Sequence, residues 1–109
     1  MIKEKFGLSK KDQEIILKTL GRFTEVEEVI LFGSRALGNY KPGSDIDLAL
    51  KGNVEDIYLE LKSVLNEETP LPYNFDVMVY HNIKNENLKK HIDDWGKIIY
   101  KRSISITID

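Results

Sequence analysis

The sequence predicts an α/β fold of the α+β kind, a small mixed sheet flanked by helices. Two observations carry this. Short runs rich in β-branched and aromatic residues recur at Val29, Ile30, Leu31 and Phe32, at Ile46, Leu48 and Leu50, and at Phe75, Val77 and Val79; apolar runs of that length, bounded by turn residues, read as strands. Around them lie stretches whose apolar residues fall at helical spacing, so the two kinds of element are interleaved along the chain. The 109 residues are enough for one hydrophobic core and are read as a single domain, 1–109.

The first helix starts at Ser9 with Asp12 three positions on, and Ile16, Leu20 and Phe23 follow at helical spacing, with Gly21 near its end. The first strand covers residues 28–32. Gly33 breaks it, since glycine admits close backbone approach and dihedrals closed to other residues, and Ser34 is placed to cap a short helix through Arg35, Ala36 and Leu37. The loop 39–43 contains Pro42-Gly43, a strong turn signal, and would lie over a bound triphosphate. The second strand, 45–50, stops at Lys51-Gly52-Asn53.

A helix over 54–66 turns Ile57, Leu61, Val64 and Leu65 to one face and Glu55, Asp56, Glu60 and Lys62 outward, a crossover by its position between strands. Pro70 and Pro72 cannot continue it, and the third strand covers 75–80. The last helix, 85–95, carries Leu88, Ile92 and Trp95 inward, and Gly96 caps its end. In the tail, Ile104, Ile106 and Ile108 alternate with small polar residues as a strand does, packing either on its own sheet or on another chain.

Residues 33–50 hold most of the chemistry. A strand, a Gly33-Ser34 turn and a helix N-terminus present N–H groups and a hydroxyl to an anion, of which phosphate is the common one. Arg35 follows, a residue that either reaches such a phosphate or bridges a surface acid. Asp45, Asp47 and Ala49 share one strand face, while Ile46, Leu48 and Leu50 take the other into a core. Two carboxylates one strand repeat apart, with no basic neighbour on that face, repel each other unless solvated or bridged by a divalent cation. Asp76 shares its face with Met78 and Tyr80. If its strand lies beside the second, three carboxylates converge, and such a set suits Mg²⁺.

Each feature also has a plain structural reading: Asp45, Asp47 and Asp76 as solvated strand acids, Ser34 as a helix cap. His81 and His91 have no partner at ligand or triad spacing and read as surface or core residues. Tyr40 and Tyr80 read as packing, and Lys41, beside Pro-Gly, as a solvated loop lysine.

A Gly-Ser pair, ten residues, then Asp-x-Asp, with a later Asp on a hydrophobic strand, resembles the signature of the DNA polymerase β-type nucleotidyltransferase superfamily, over residues 29–80. At 109 residues the chain most resembles the minimal nucleotidyltransferases, the antitoxin-type (MNT) partners of HEPN proteins. The resemblance implies the polymerase β-type nucleotidyltransferase fold, nucleotide binding by Gly33, Ser34 and Arg35, and catalysis by Asp45, Asp47 and Asp76 as ligands of two Mg²⁺ ions. It implies ATP as substrate, with AMP passed to a tyrosine hydroxyl of a HEPN-type toxin. Two other functions compete with it: a non-catalytic module that neutralises its partner by occlusion, and nucleotidyl transfer to a small molecule such as an aminoglycoside.

Composition narrows the field further. Net charge is −2 with a pI near 5.7, and acids and bases are interspersed. A long polynucleotide is gripped by Lys and Arg neutralising its phosphates, so nucleic acid is a poor candidate partner and a protein acceptor or a short one fits better. The absence of cysteine excludes disulfides, thiol catalysis and thiolate metal sites. No apolar run reaches signal-peptide or membrane-spanning length, and the expectation is a soluble, cytoplasmic protein with no membrane partner.

Overall fold

The computed structural model describes residues 5–102. Its first helix, α1 (Lys10–Gly21), begins where the sequence places it: Ser9 is the cap, its side chain accepting a hydrogen bond from the Asp12 amide at 3.1 Å. Ile16 and Leu20 are buried on one side of it. Strand β1 (Val26–Phe32) starts two residues earlier than the predicted 28–32, because Val26 pairs with Gly52 across an irregularity in the ladder and its carbonyl accepts from the Arg102 guanidinium. A four-residue helix, α2 (Ser34–Leu37), follows directly, and β2 (Ile46–Gly52) then returns antiparallel to β1.

Helix α3 (Tyr58–Glu67) begins four residues later than expected. Fully buried Val54 anchors a turn there, its carbonyl accepting from both the Ile57 and Tyr58 amides, so the chain is pinned before it becomes helical. The crossover reading holds: α3 carries the chain to β3 (Phe75–Val79), which lies parallel to β2, and a parallel pair requires such a connection. The third strand ends one residue early in a 3-10 turn, Tyr80–Asn82. Helix α4 (Glu86–Trp95) is capped by Asn85, whose side chain accepts from the Leu88 amide. Strand β4 (Lys97–Lys101), which no sequence pattern marks off from the tail, pairs antiparallel with β1 and completes a sheet of order β3-β2-β1-β4. Ile104, Ile106 and Ile108 lie outside the described residues.

Alternation along the strands sorts side chains into two layers. Val29, Leu31, Ile46, Leu48, Leu50, Phe75, Val77 and Val79 join Ile16 and Leu20 of α1 and Leu61, Val64 and Leu65 of α3 in the main core. Each such side chain contributes about 1.5–3 kcal/mol by leaving water. A smaller cluster on the opposite face joins Ile30, Phe32 and Ala49 to Ile92 of α4. Trp95 is not part of it: the indole is 55% exposed. Gly96 takes that place against the sheet, so close that a Cβ on it would stand 2.5 Å from Ile30 Cγ2 and 2.4 Å from the Ile92 carbonyl oxygen. Close approach, and not a left-handed cap, is what Gly96 supplies, since its φ is −63°. Among the described residues no helix is long and apolar enough to cross a membrane.

Candidate active site

The sheet brings the expected residues to one end, on the face that carries α4. Phe32, the last residue of β1, pairs with Asp47 of β2, and Asp47 pairs in turn with Asp76 of β3. A line drawn across three strands therefore runs from the β1 exit through one carboxylate to the next. Asp45 precedes β2 by one residue and is exposed.

Three local devices hold this line in place. Gly33 leaves β1 with φ +78° and ψ −155°, which an L side chain adopts only under strain. A Cβ built there would lie 2.2 Å from Asp47 Oδ2, so the carboxylate abuts the bare α-carbon of the turn. Asn66 of α3 fixes the entry to β3 with a paired bond, accepting from the Phe75 amide at 2.7 Å and donating to the Phe75 carbonyl at 3.0 Å. That sets the residue immediately before Asp76.

The third device is Arg35, 2% exposed, with its guanidinium turned into the protein. It donates from Nε and Nη2 to the Ser44 carbonyl at 3.1 and 2.8 Å, and from Nη1 to the Phe6 carbonyl at 2.7 Å, and it stacks near the Tyr40 and Tyr73 rings. This geometry is neither the expected phosphate contact nor the expected surface acid bridge; the guanidinium fastens the carbonyl preceding Asp45. Ser34 also differs from its expected part as a cap. It is the first helical residue of α2, and Gly33 occupies the cap position.

The acids press on one another. Burial pushes the Asp47 carboxyl above its ordinary value, and the neighbouring charges of Asp76 and Asp45 push it further. Lys62 reaches Asp76 at 3.6 Å, with both side chains about half exposed, and a pair that open to water contributes little.

His91, which its sequence spacing marks only as a surface or core residue, stands at this site. Its Nε2 accepts the Gly33 amide hydrogen at 3.0 Å, and its ring meets Phe32 edge to face with centroids 6.2 Å apart. The signal lay in helical spacing, because His91 follows Leu88 by three on the face of α4 that Ile92 buries. His81, by contrast, pairs with exposed Glu55 away from this line.

The family model described as Polymerase beta, Nucleotidyltransferase matches residues 14–105. The chain belongs to that family. No curated protein sequence matches it. Solved structures of similar fold include a toxin–antitoxin with AMP-PNP, with a TM-score of 0.68 and 22% identity over 84% of this chain and 75% of the other. A mutant of the toxin–antitoxin MntA-HpeT gives a TM-score of 0.64 and 19% identity over 84% and 74% of the two chains. A third is the Shewanella oneidensis tri-AMPylated HEPN toxin in complex with MNT antitoxin, with a TM-score of 0.50 and 19% identity over 83% and 70%. At these identities what is shared is the fold.

In a polymerase β-type nucleotidyltransferase a divalent metal is implied, and the donor set here fits one. Asp47 is a carboxylate whose ionised form is opposed by burial and by two neighbouring carboxylates, a situation that a hard cation relieves. Among the described residues no group of three or more His, Asp or Glu is already drawn together to hold a metal alone.

Proposed function

We propose that this nucleotidyltransferase moves AMP from Mg·ATP to the tyrosine hydroxyl of a partner HEPN-type toxin in the cytoplasm, and so serves as its antitoxin, working as one domain of residues 1–109. The observation that carries the reading is the in-register line from the Gly33 turn through Asp47 to Asp76, in a chain of this family. Support for nucleotide and partner comes from the solved relatives, one bound to AMP-PNP and one an MNT antitoxin complexed with an AMPylated HEPN toxin.

In this reading the Gly33-Ser34 turn binds the triphosphate end of the nucleotide. Asp45, Asp47 and Asp76 hold two Mg²⁺ ions, which when bound supply neutralisation of the triphosphate and of the leaving pyrophosphate. Asp76 orients the acceptor hydroxyl and receives its proton. The acceptor oxygen bonds to the α-phosphorus, the bond between α-phosphorus and the bridging oxygen breaks, and pyrophosphate departs with its electrons. Arg35 acts at one remove, by fastening Ser44 so that Asp45 faces the site.

The test is incubation of ATP labelled at the α-phosphate with Mg²⁺, the purified protein and lysate of its source organism, beside the Asp45→Asn, Asp47→Asn double variant. Label on one discrete protein band, absent with the variant, is the expected result. An intact fold that labels no protein, nucleic acid or small molecule would replace this reading with that of a binding module acting by occlusion.

A further inference from the structure

Glycine is the residue least able to hold its own conformation, and Gly33 must hold an unusual one, at φ +78° and ψ −155°, against the Asp47 carboxylate. Its carbonyl is fixed by the Leu37 amide at 3.1 Å, inside the turn itself. Its amide is fixed from outside, by His91 Nε2 at 3.0 Å, from a helix 58 residues further along the chain. A ring nitrogen that accepts an N–H bond carries no proton, so the imidazole is neutral with its hydrogen on Nδ1. The edge-to-face contact with Phe32 fixes the plane of the ring and so the direction of the Nε2 lone pair.

We propose that His91 is a positioning residue for nucleotide binding, holding the Gly33 peptide so that the turn is set before the triphosphate arrives. This inference rests on the nucleotidyltransferase reading above and refines it. With the Gly33 amide engaged by His91, Gly33 supplies shape, and anion contact passes to Ser34 and the amides that follow. A turn fixed in advance loses less freedom on binding, so the effect belongs to affinity for ATP and not to the chemical step.

The test compares wild type with His91→Phe, His91→Gln and His91→Asn. Phe keeps a ring against Phe32 but has no acceptor; Gln places an oxygen near the position of Nε2; Asn places one near Nδ1, out of reach. The expected result is a KM for ATP raised about tenfold in His91→Phe, the scale of one lost hydrogen bond. The turnover number should stay within about threefold of wild type, as expected for lost ground-state and transition-state binding alike. His91→Gln should return KM to within about threefold, and His91→Asn should resemble Phe.

An unchanged KM in His91→Phe, or equal impairment of Gln and Asn, overturns the proposal. If His91→Phe does not fold, the comparison of Gln with Asn decides on the same terms. Binding of a fluorescent ATP analogue with Mg²⁺, measured on the same four proteins, separates the two readings. Wild type that binds but transfers to no acceptor removes the transferase reading, while the order of affinities still tests His91. Wild type that binds no nucleotide overturns both.

Discussion

Asp47 is held in an electrostatic position that works against the fold. Its folded-state pKa is raised, first by burial and then by Asp76 and Asp45, so the folded protein binds that proton more readily than the unfolded chain and the ionised form opposes folding. The penalty is complete above the raised pKa and fades as pH falls through it toward the ordinary value of 3.8. Asp47→Asn should therefore melt higher than wild type at pH 7 in the absence of metal, by on the order of a few degrees for a chain of this size. That gain should shrink steadily toward pH 4. A thermal melt series over this range checks it, and a variant less stable than wild type at neutral pH would count against the repulsion.

Arg35 is the opposite case, a charge buried because its donors are engaged. Arg35→Lys and Arg35→Ala both leave the Ser44 and Phe6 carbonyls without the planar fork that bridges them, and the expected loss is about 2–4 kcal/mol in urea unfolding. A loss below about 0.5 kcal/mol would remove the brace. The acids and Gly33 were legible from spacing because their chemistry is written in residue types. Arg35 and His91 were not, since their partners are backbone groups far along the chain, a carbonyl and an amide that every sequence contains everywhere.

At the level of elements, what the sequence carried best was whatever depends on local pattern. Ser9 caps its helix, and the alternations 46, 48, 50 and 75, 77, 79 face the main core as expected. What it carried worst depends on packing from afar. Strand β4 escaped because its Lys97, Ile98 and Lys101 are exposed, so no alternation of apolar and polar residues marks it, and only pairing with β1 makes it a strand. The exposure of Trp95 follows from the same junction, where Gly96 presses against Ile30. Gly96→Ala should accordingly cost about 1–3 kcal/mol, typical of overpacking, because the new methyl meets a backbone carbonyl that cannot turn aside. Urea unfolding reads this directly. Because His91 sits on the same helix, the variant should also weaken ATP binding, and unchanged stability would show that α4 and β4 can part without cost.

Across the whole molecule, the order β3-β2-β1-β4 places Asp76, Asp47 and the Gly33 turn side by side although 43 residues separate the first from the last. The same arrangement concentrates negative charge at one end of the sheet, where the main core on the far side holds the strands in register whatever that charge costs. A ligand that brings positive charge to this end should therefore stabilise the entire fold and not the site alone, since the strands that carry the acids are the strands that carry the core. Binding to the native state at a concentration of a hundred times Kd adds about 2.7 kcal/mol, which for a chain of this length raises Tm on the order of ten degrees. Mg²⁺ with a non-hydrolysable ATP analogue should produce that rise in wild type, and the analogue with a metal chelator a smaller one. In the Asp45→Asn, Asp47→Asn variant the dependence on Mg²⁺ should vanish while the unliganded melting temperature stays the same or increases. A variant that kept the full Mg²⁺-dependent rise would place the metal away from these acids and would take the catalytic assignment with it.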